Sequence, residues 1–340
     1  MKKKILLISM TLLLAAGLVA TGCAAEPEAV QKVTWHFGNT DPPAWNTKID
    51  IGMADRVREA TNGNFDIKYY VSDELGVERS ALPGLLKKNV VQISVMVGGH
   101  IAGEYPALGV FGLPFLQCSI NGCVDDGAAI EEAIRPIVEA EWAKDGIGRL
   151  DFSTMTSVGV VSKTTIDDLS DWKGLKCRAW DENTANIVKA LNGEPVIMGV
   201  TETYVAMQRG VIDAVLTGVP AMVSMALFEP GAYLYTIGLA PANIYVGYNL
   251  AAMAALPQEW QDILWEAAAW HNAEFKKQQP IADKVSLDEM AAGGVEVIQP
   301  DAATLANMQD KVKPLWETWA AQGPSEKQAY DLALKALGLT

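Results

Sequence analysis

The sequence predicts an α/β chain folded into two lobes, and three observations carry that prediction. Strand-like and helix-like segments alternate along it. The alternation occurs twice, with a change of rhythm after Phe152. The 340 residues, half of them hydrophobic, exceed a typical single domain and suffice for two modest cores.

In the first set, residues 33–37 alternate as a strand does, and Asn39-Thr40-Asp41-Pro42-Pro43 breaks the pattern. Ile49, Met53 and Val57 share one helical face within residues 46–60, and Thr61-Asn62-Gly63 supplies the stop. A strand over 65–71, a helix near 79–88 and a strand over 91–97 follow, an order that implies parallel strands joined by crossover helices. The second set runs through a strand at 158–162, a turn at Ile166-Asp167-Asp168-Leu169, a strand over 174–180, a helix over 182–191, a strand near Val196, a helix over 202–209 and a strand over 211–216. Pro257 then opens a long helical pattern reaching Lys284, with Ile263, Leu264, Ala267, Trp270 and Phe275 on related faces; Pro280 should bend or end it. Further helices are expected over 304–321 and 325–337.

The first 22 residues have the form of an export signal. Lys2, Lys3 and Lys4 are a positive start, residues 5–20 an uncharged apolar run, and Ala20-Thr21-Gly22 are small residues before Cys23. That ending resembles a bacterial lipobox, with Cys23 as the lipidated first mature residue and residues 23–32 as a polar tether. A retained transmembrane anchor is the alternative, since the apolar run is only slightly shorter than a span. Both readings put the rest of the chain outside the membrane, in the periplasm or at the cell surface. Losing the three lysines would take the formal charge from -14 to -17. Such a surface repels nucleic acid, and an anionic ligand would need a local cation to select it.

Beyond Cys23, Cys118 and Cys123 flank the turn-forming Ser119-Ile120-Asn121-Gly122 and could bridge in an oxidising compartment; two reduced thiols are the other reading. Cys177 reads as a core residue. Hydrolase elbows, zinc helices and phosphate loops are missing, and the three histidines, His36, His100 and His271, are too scattered for known metal-ligand spacings. The sequence therefore suggests no cofactor, no metal and no catalytic residue.

The most informative stretch centres on Trp172-Lys173-Gly174-Leu175-Lys176-Cys177-Arg178-Ala179-Trp180. With a period of two, Leu175, Cys177 and Ala179 face inward while Lys176, Arg178 and Trp180 face the other way. A guanidinium beside an indole can hold a carboxylate by paired charge-assisted bonds while the ring covers the ligand's apolar body. The plainer alternative is an Arg paired with a nearby Asp, with Trp180 in the core.

Gly174-Leu175-Lys176-Cys177-Arg178, then Asn192-Gly193-Glu194-Pro195, then Thr203-Tyr204-Val205-Ala206-Met207-Gln208-Arg209-Gly210-Val211-Ile212-Asp213 resemble the signature of DctP-type solute-binding proteins of tripartite ATP-independent periplasmic (TRAP) transporters. Thr61-Asn62-Gly63-Asn64-Phe65, Glu74-Leu75-Gly76 and Leu113-Pro114-Phe115 fit the same family in order and spacing. The resemblance implies a periplasmic-binding-protein-like fold with mixed sheets, hinge strands and a long helix spanning both lobes. It assigns residues 33–152 plus about 244–256 to the first lobe, 153–243 plus about 291–340 to the second, and 257–290 to the spanning helix. It implies that Arg178 binds a ligand carboxylate, that Thr217 stands where the family often has Asn, and that a second basic position falls near the apolar Val158. Positions often polar in sugar-acid binders fall near Val97 and His100. Trp45, Phe152, Trp180 and Met198 sit at strand ends or loops where a cleft would form, although each taken alone also suits a core. Together they suggest a small monocarboxylate with an apolar or aromatic body, passed to the small and large membrane subunits of a TRAP permease. A binding protein of an ABC-type or sensory system is the first alternative, and a secreted enzyme using an acid pair the second.

Overall fold

Apolar residues on both faces of two separate sheets organise the protein. A computed structural model describes residues 32–339 apart from 41–43, 119–122 and 156–157. The export segment, Cys23 and most of the tether lie outside the described residues. The first half comprises β1 (Val33–Gly38), α1 (Thr47–Ala60), β2 (Phe65–Tyr70), α2 (Leu82–Lys87), β3 (Ile93–Val97), α3 (Gly98–Ile101), α4 (Cys123–Lys144) and β4 (Ile147–Thr154). The second comprises β5 (Val158–Ser162), β6 (Lys176–Ala179), α5 (Glu182–Ala190), β7 (Glu194–Ile197), α6 (Val200–Gln208), β8 (Ala214–Gly218), α7 (Val219–Ser224) and β9 (Tyr233–Thr236). The chain returns through β10 (Asn243–Asn249), α8 (Leu250–Ala254) and α9 (Gln258–Ala292), then closes with β11 (Glu296–Ile298), α10 (Ala302–Val312), α11 (Pro314–Ala320) and α12 (Pro324–Ala336).

The first sheet has the order β2-β1-β3-β10-β4 and the second β11-β9-β5-β8-β6-β7. As the alternating pattern predicts, β1 is parallel to β2 and β3, and β6 is parallel to β7 and β8. The returning β10 runs antiparallel to both neighbours, which makes the first sheet mixed. The second is mixed through β5, antiparallel to β8 and β9.

Each sheet buries both faces. One face of the first packs Trp35, Phe37, Ile93 and Val246 against α1 and α9; the other packs Met96, Phe152 and Tyr245 against α2 and α4. The second sheet is covered by α5 and α10 on one side and by α6, α7 and the end of α9 on the other. Helix α9 touches both halves: Leu264, Ala267 and Phe275 join the first core, while Met290 joins the second.

The structure corrects several expected boundaries. Helix α9 continues unbroken through Pro280, because packing at both ends outweighs the one backbone donor that proline removes. The helix expected over 304–321 is split at Pro314, which starts α11. The strand expected over 211–216 begins only at Ala214, after a left-handed turn at Gly210 (φ 74°). The last correction concerns residues 291–340. β11 and α10 pack with the second sheet, but α11 and α12 pack on the first half, where Trp316, Trp319, Ala329 and Ala333 complete the core beside α4.

Candidate functional site

Gly174, in the left-handed region at φ 77°, turns the chain into β6. There Cys177 and Ala179 are fully buried, and Cys177 joins the core formed with α5. Burial pushes the Cys177 thiol up to about 12, so it behaves as an inert core group. Alternation sends Arg178 to the opposite face, where it is covered as well, with only 2 % of its surface exposed. Its Nε donates to the Met198 carbonyl at 3.2 Å, and among the described residues it makes no ion pair with a carboxylate.

The parallel register explains why these residues meet. Arg178 stands opposite Val196 of β7 and Val215 of β8, so the strand ends present Arg178, Met198 and Thr217 together. The Met198 N–H donates to the Ala179 carbonyl at 3.3 Å, extending the β6–β7 ladder. Trp180 follows directly, its N–H donating to Thr184 Oγ1 at 3.1 Å. Its side chain packs half-buried against the core that holds Leu175 and Cys177, so the alternation expected to set it beside Arg178 ends with the strand at Ala179, and Asp181 caps α5.

Burial lowers the Arg178 pKa to about 10; the positive charge of Arg79 acts in the same direction, against smaller opposing effects from Cys177 and Asp181. Arg79 lies in a short 3-10 turn, Arg79–Ala81, just before α2 in the first half. Two guanidinium groups from opposite halves thus share one electrostatic environment. Nothing in the local pattern around Arg79 sets it apart from an ordinary surface arginine.

The remaining expected residues lie in the first half. Val97 ends β3 and His100 sits in α3; both are half-buried. Trp45 lies just before α1 with its ring 4.8 Å from that of Phe275, and its enclosed indole Nε1 has no hydrogen-bond partner among the described residues. Phe152 is drawn into the core, 5.7 Å from Phe111 and 4.9 Å from Tyr245 between ring centroids. Cys118 and Cys123 are joined by a disulfide.

A second polar cluster is absent from the expectations. His271 of α9 is 1 % exposed; its Nδ1 lies 2.7 Å from Asp151 of β4 and its Nε2 2.9 Å from Asp50 of α1. Burial, the largest influence, opposes the charged ring, but the two carboxylates outweigh it and raise the pKa to about 9. Tyr69 donates to Asp50 at 2.5 Å, and Asn272 Nδ2 donates to Asp151 at 2.7 Å. His271, enclosed between two acids, ties helix to helix to strand and is shut off from solvent. Among the described residues no group of three or more His, Cys, Asp or Glu is placed to hold a metal ion.

A fold of two mixed sheets, with a buried arginine that makes no carboxylate ion pair among the described residues at the strand ends of the second, is that of a two-lobed solute-binding protein. Comparison with known families makes this specific. The profile of the bacterial extracellular solute-binding proteins, family 7 (DctP), matches residues 47–322, and the chain belongs to that family. A protein of Nostoc sp. named a monocarboxylate 2-oxoacid-binding periplasmic protein is 25% identical over 324 residues, covering 92% of this chain and 86% of that one. The structure is similar to that of DctP7, a Bordetella pertussis extracytoplasmic solute receptor binding pyroglutamic acid, with TM-score 0.79, 23% identity and coverage of 88% and 99% of the two chains. It is also similar to a TRAP periplasmic solute-binding protein from Desulfovibrio salexigens with bound orotic acid, with TM-score 0.80, 20% identity and coverage of 91% and 99%.

Proposed function

We propose that the chain is the extracytoplasmic receptor of a TRAP transporter, closing its two halves on a small organic monocarboxylate with an apolar or aromatic body. The observation that carries this reading is Arg178, buried without a carboxylate partner among the described residues. An unpaired buried charge costs on the order of several kcal/mol, and an arriving carboxylate removes that cost by paired, charge-assisted hydrogen bonds. Arg79 adds positive potential from the opposite half. Thr217 offers a hydroxyl to the same anion, and Trp45, Trp180 and Met198 supply apolar walls. The ligands named for the Nostoc relative and for the two similar structures are 2-oxoacids, pyroglutamic acid and orotic acid, each carrying a carboxylate. Val97 in the first half and Val158 in the second leave the walls less polar than a sugar acid or dicarboxylate requires.

Closure follows from differential affinity. The ligand bridges the halves only when they are together, so it shifts the population towards the closed form, which the permease recognises. Lipidation at Cys23 would hold the receptor at the membrane; a Cys23→Ser protein is then expected in the soluble fraction, and retention in the membrane fraction would overturn the anchor. The ligand class is tested by thermal shift with pyroglutamate, a branched 2-oxoacid, an aryl monocarboxylate, succinate, malate and galacturonate. The first three are expected to stabilise the fold, by about 2.7 kcal/mol at ~100 times the dissociation constant. Strong stabilisation by succinate or malate and none by the monocarboxylates would refute the assignment.

A further inference from the structure

Two of the chain's crossings between the sheets, from β4 to β5 and from β9 to β10, meet at one buried polar cluster; a third runs along α9 to β11. Thr154 is the last residue of β4 and Asn243 the first of β10, and they stand opposite each other in the ladder. Thr154 Oγ1 donates to Asn243 Oδ1 at 2.9 Å. Gln117 spans the pair: its Nε2 lies 3.2 Å from both Thr154 Oγ1 and Asn243 Oδ1, and its Oε1 accepts from Asn243 Nδ2 at 2.7 Å. The same Nε2 donates to the Cys123 carbonyl at 3.0 Å. All three side chains are buried.

The disulfide stands immediately beside this cluster. Cys118 follows Gln117 in sequence, and Cys123 opens α4. A Cβ added at Gly238, in the middle of the return crossing and in the left-handed region at φ 58°, would meet the two sulfurs at 3.5 and 3.6 Å. The backbone adds three ties. Phe115 N–H donates to the Leu239 carbonyl at 2.7 Å, Met155 N–H to Ala242 at 2.8 Å, and Gly238 N–H to Val158 at 3.1 Å. Both crossings are therefore bonded to each other, and the returning one is also bonded to the cystine-bearing segment.

We propose that Gln117, Thr154 and Asn243, held by the Cys118–Cys123 disulfide, are positioning residues that fix the pivot on which the two halves close. The cluster keeps β4 and β10 paired at Thr154 and Asn243, so closure does not fray the two strands. The disulfide restricts the segment carrying Gln117, so the bridging amide stays in place without an ordering cost at each closure. This rests on the reading of capture by closure, but it does not depend on which solute is captured.

The test is residue-resolved amide hydrogen exchange on the full, ligand-free protein, so a wrong ligand class leaves the outcome unaffected. Three samples are compared with wild type: Cys118→Ser with Cys123→Ser, Gln117→Met with the disulfide intact, and wild type reduced after folding by dithiothreitol. In the last, two electrons and two protons pass from the dithiol, which becomes a cyclic disulfide, to give two cysteine thiols. In each sample the amides of Met155, Gly238 and Phe115, the donors of the three ties, are expected to exchange at least tenfold faster, while those of Phe37 in β1 and Leu216 in β8 keep wild-type rates. The proposal is overturned if crossing amides stay within threefold of wild type, or if both sheets accelerate equally, which would mark a general staple. If the double serine variant does not fold, the other two samples decide by the same criteria.

Discussion

Arg178 is desolvated before any ligand reaches it, and this gives the residue-scale prediction a distinctive signature. Replacing it with methionine removes a buried charge that the protein leaves unneutralised while nearly conserving volume. Arg178→Met is therefore expected to be more stable than wild type in the absence of ligand and to bind the carboxylate more than tenfold more weakly, a loss of about 2–5 kcal/mol. Denaturant titration of the ligand-free proteins and calorimetric binding check the two halves of this statement. Wild-type affinity in the variant would end the anchor assignment. Arg178→Lys should fall between, because an ammonium keeps the charge and loses the planar fork. Arg178 is legible in the sequence because Leu175, Cys177 and Ala179 fix the phase of a short strand and force it onto the other face. Arg79 is not legible that way, since a three-residue 3-10 turn has no phase to read and its role comes from the opposite half of the chain.

At the scale of elements, the strand-helix alternation and its repetition were sufficient to place most of both sheets, whereas the buried charge cluster was missed although its signal is present. Asp50 lies one residue after Ile49 on the buried side of α1, and His271 falls four residues before Phe275 and four after Ala267 on the apolar stripe of α9. A charged or titratable residue in the phase of a core stripe is the sequence mark of such a cluster. Its three members join α1, β4 and α9, so the cluster sets how the long helix seats on the first sheet. The pH dependence follows from the direction of the shift. The folded-state pKa of His271, about 9, is above the unfolded value of ~6.5. Its contribution is therefore complete below pH ~6.5, declines above that, and is lost as the pH passes through about 9. His271→Leu, which leaves two buried carboxylates facing an apolar group, is expected to be less stable than wild type by about 3–5 kcal/mol near pH 6. The gap between the two proteins should narrow steadily towards pH 10. Urea titrations at pH 6, 7.5, 9 and 10 measure it, and a gap that widens with pH would show that the ring folds in its neutral form.

The whole molecule sets two opposing fields on its ligand, and the balance between them is measurable. The formal charge of -14 repels an anion at long range, while Arg178 and Arg79 attract it once it is between the halves. Composition alone gives the first field; the second depends on which residues the two halves bring face to face, and the sequence shows only one of them. The assignment of the chain's end failed for a related reason. Trp316, Trp319, Ala329 and Ala333 read as amphipathic helix faces, but which half they cover is decided by a core assembled from residues hundreds of positions earlier. The two fields differ in range. The Debye length falls from ~30 Å at 0.01 M salt to ~8 Å at 0.15 M, which removes most of the diffuse repulsion and leaves contacts inside the desolvated site largely intact. The association rate of a monocarboxylate is therefore expected to rise several-fold over that range, while the dissociation rate, set by the buried Arg178, changes less. Stopped-flow mixing followed by the fluorescence of the ten tryptophans measures both rates. An association rate that falls steeply with salt would mean that local attraction outweighs the protein's net charge even at long range, and that the acidic surface plays no part in filtering what enters.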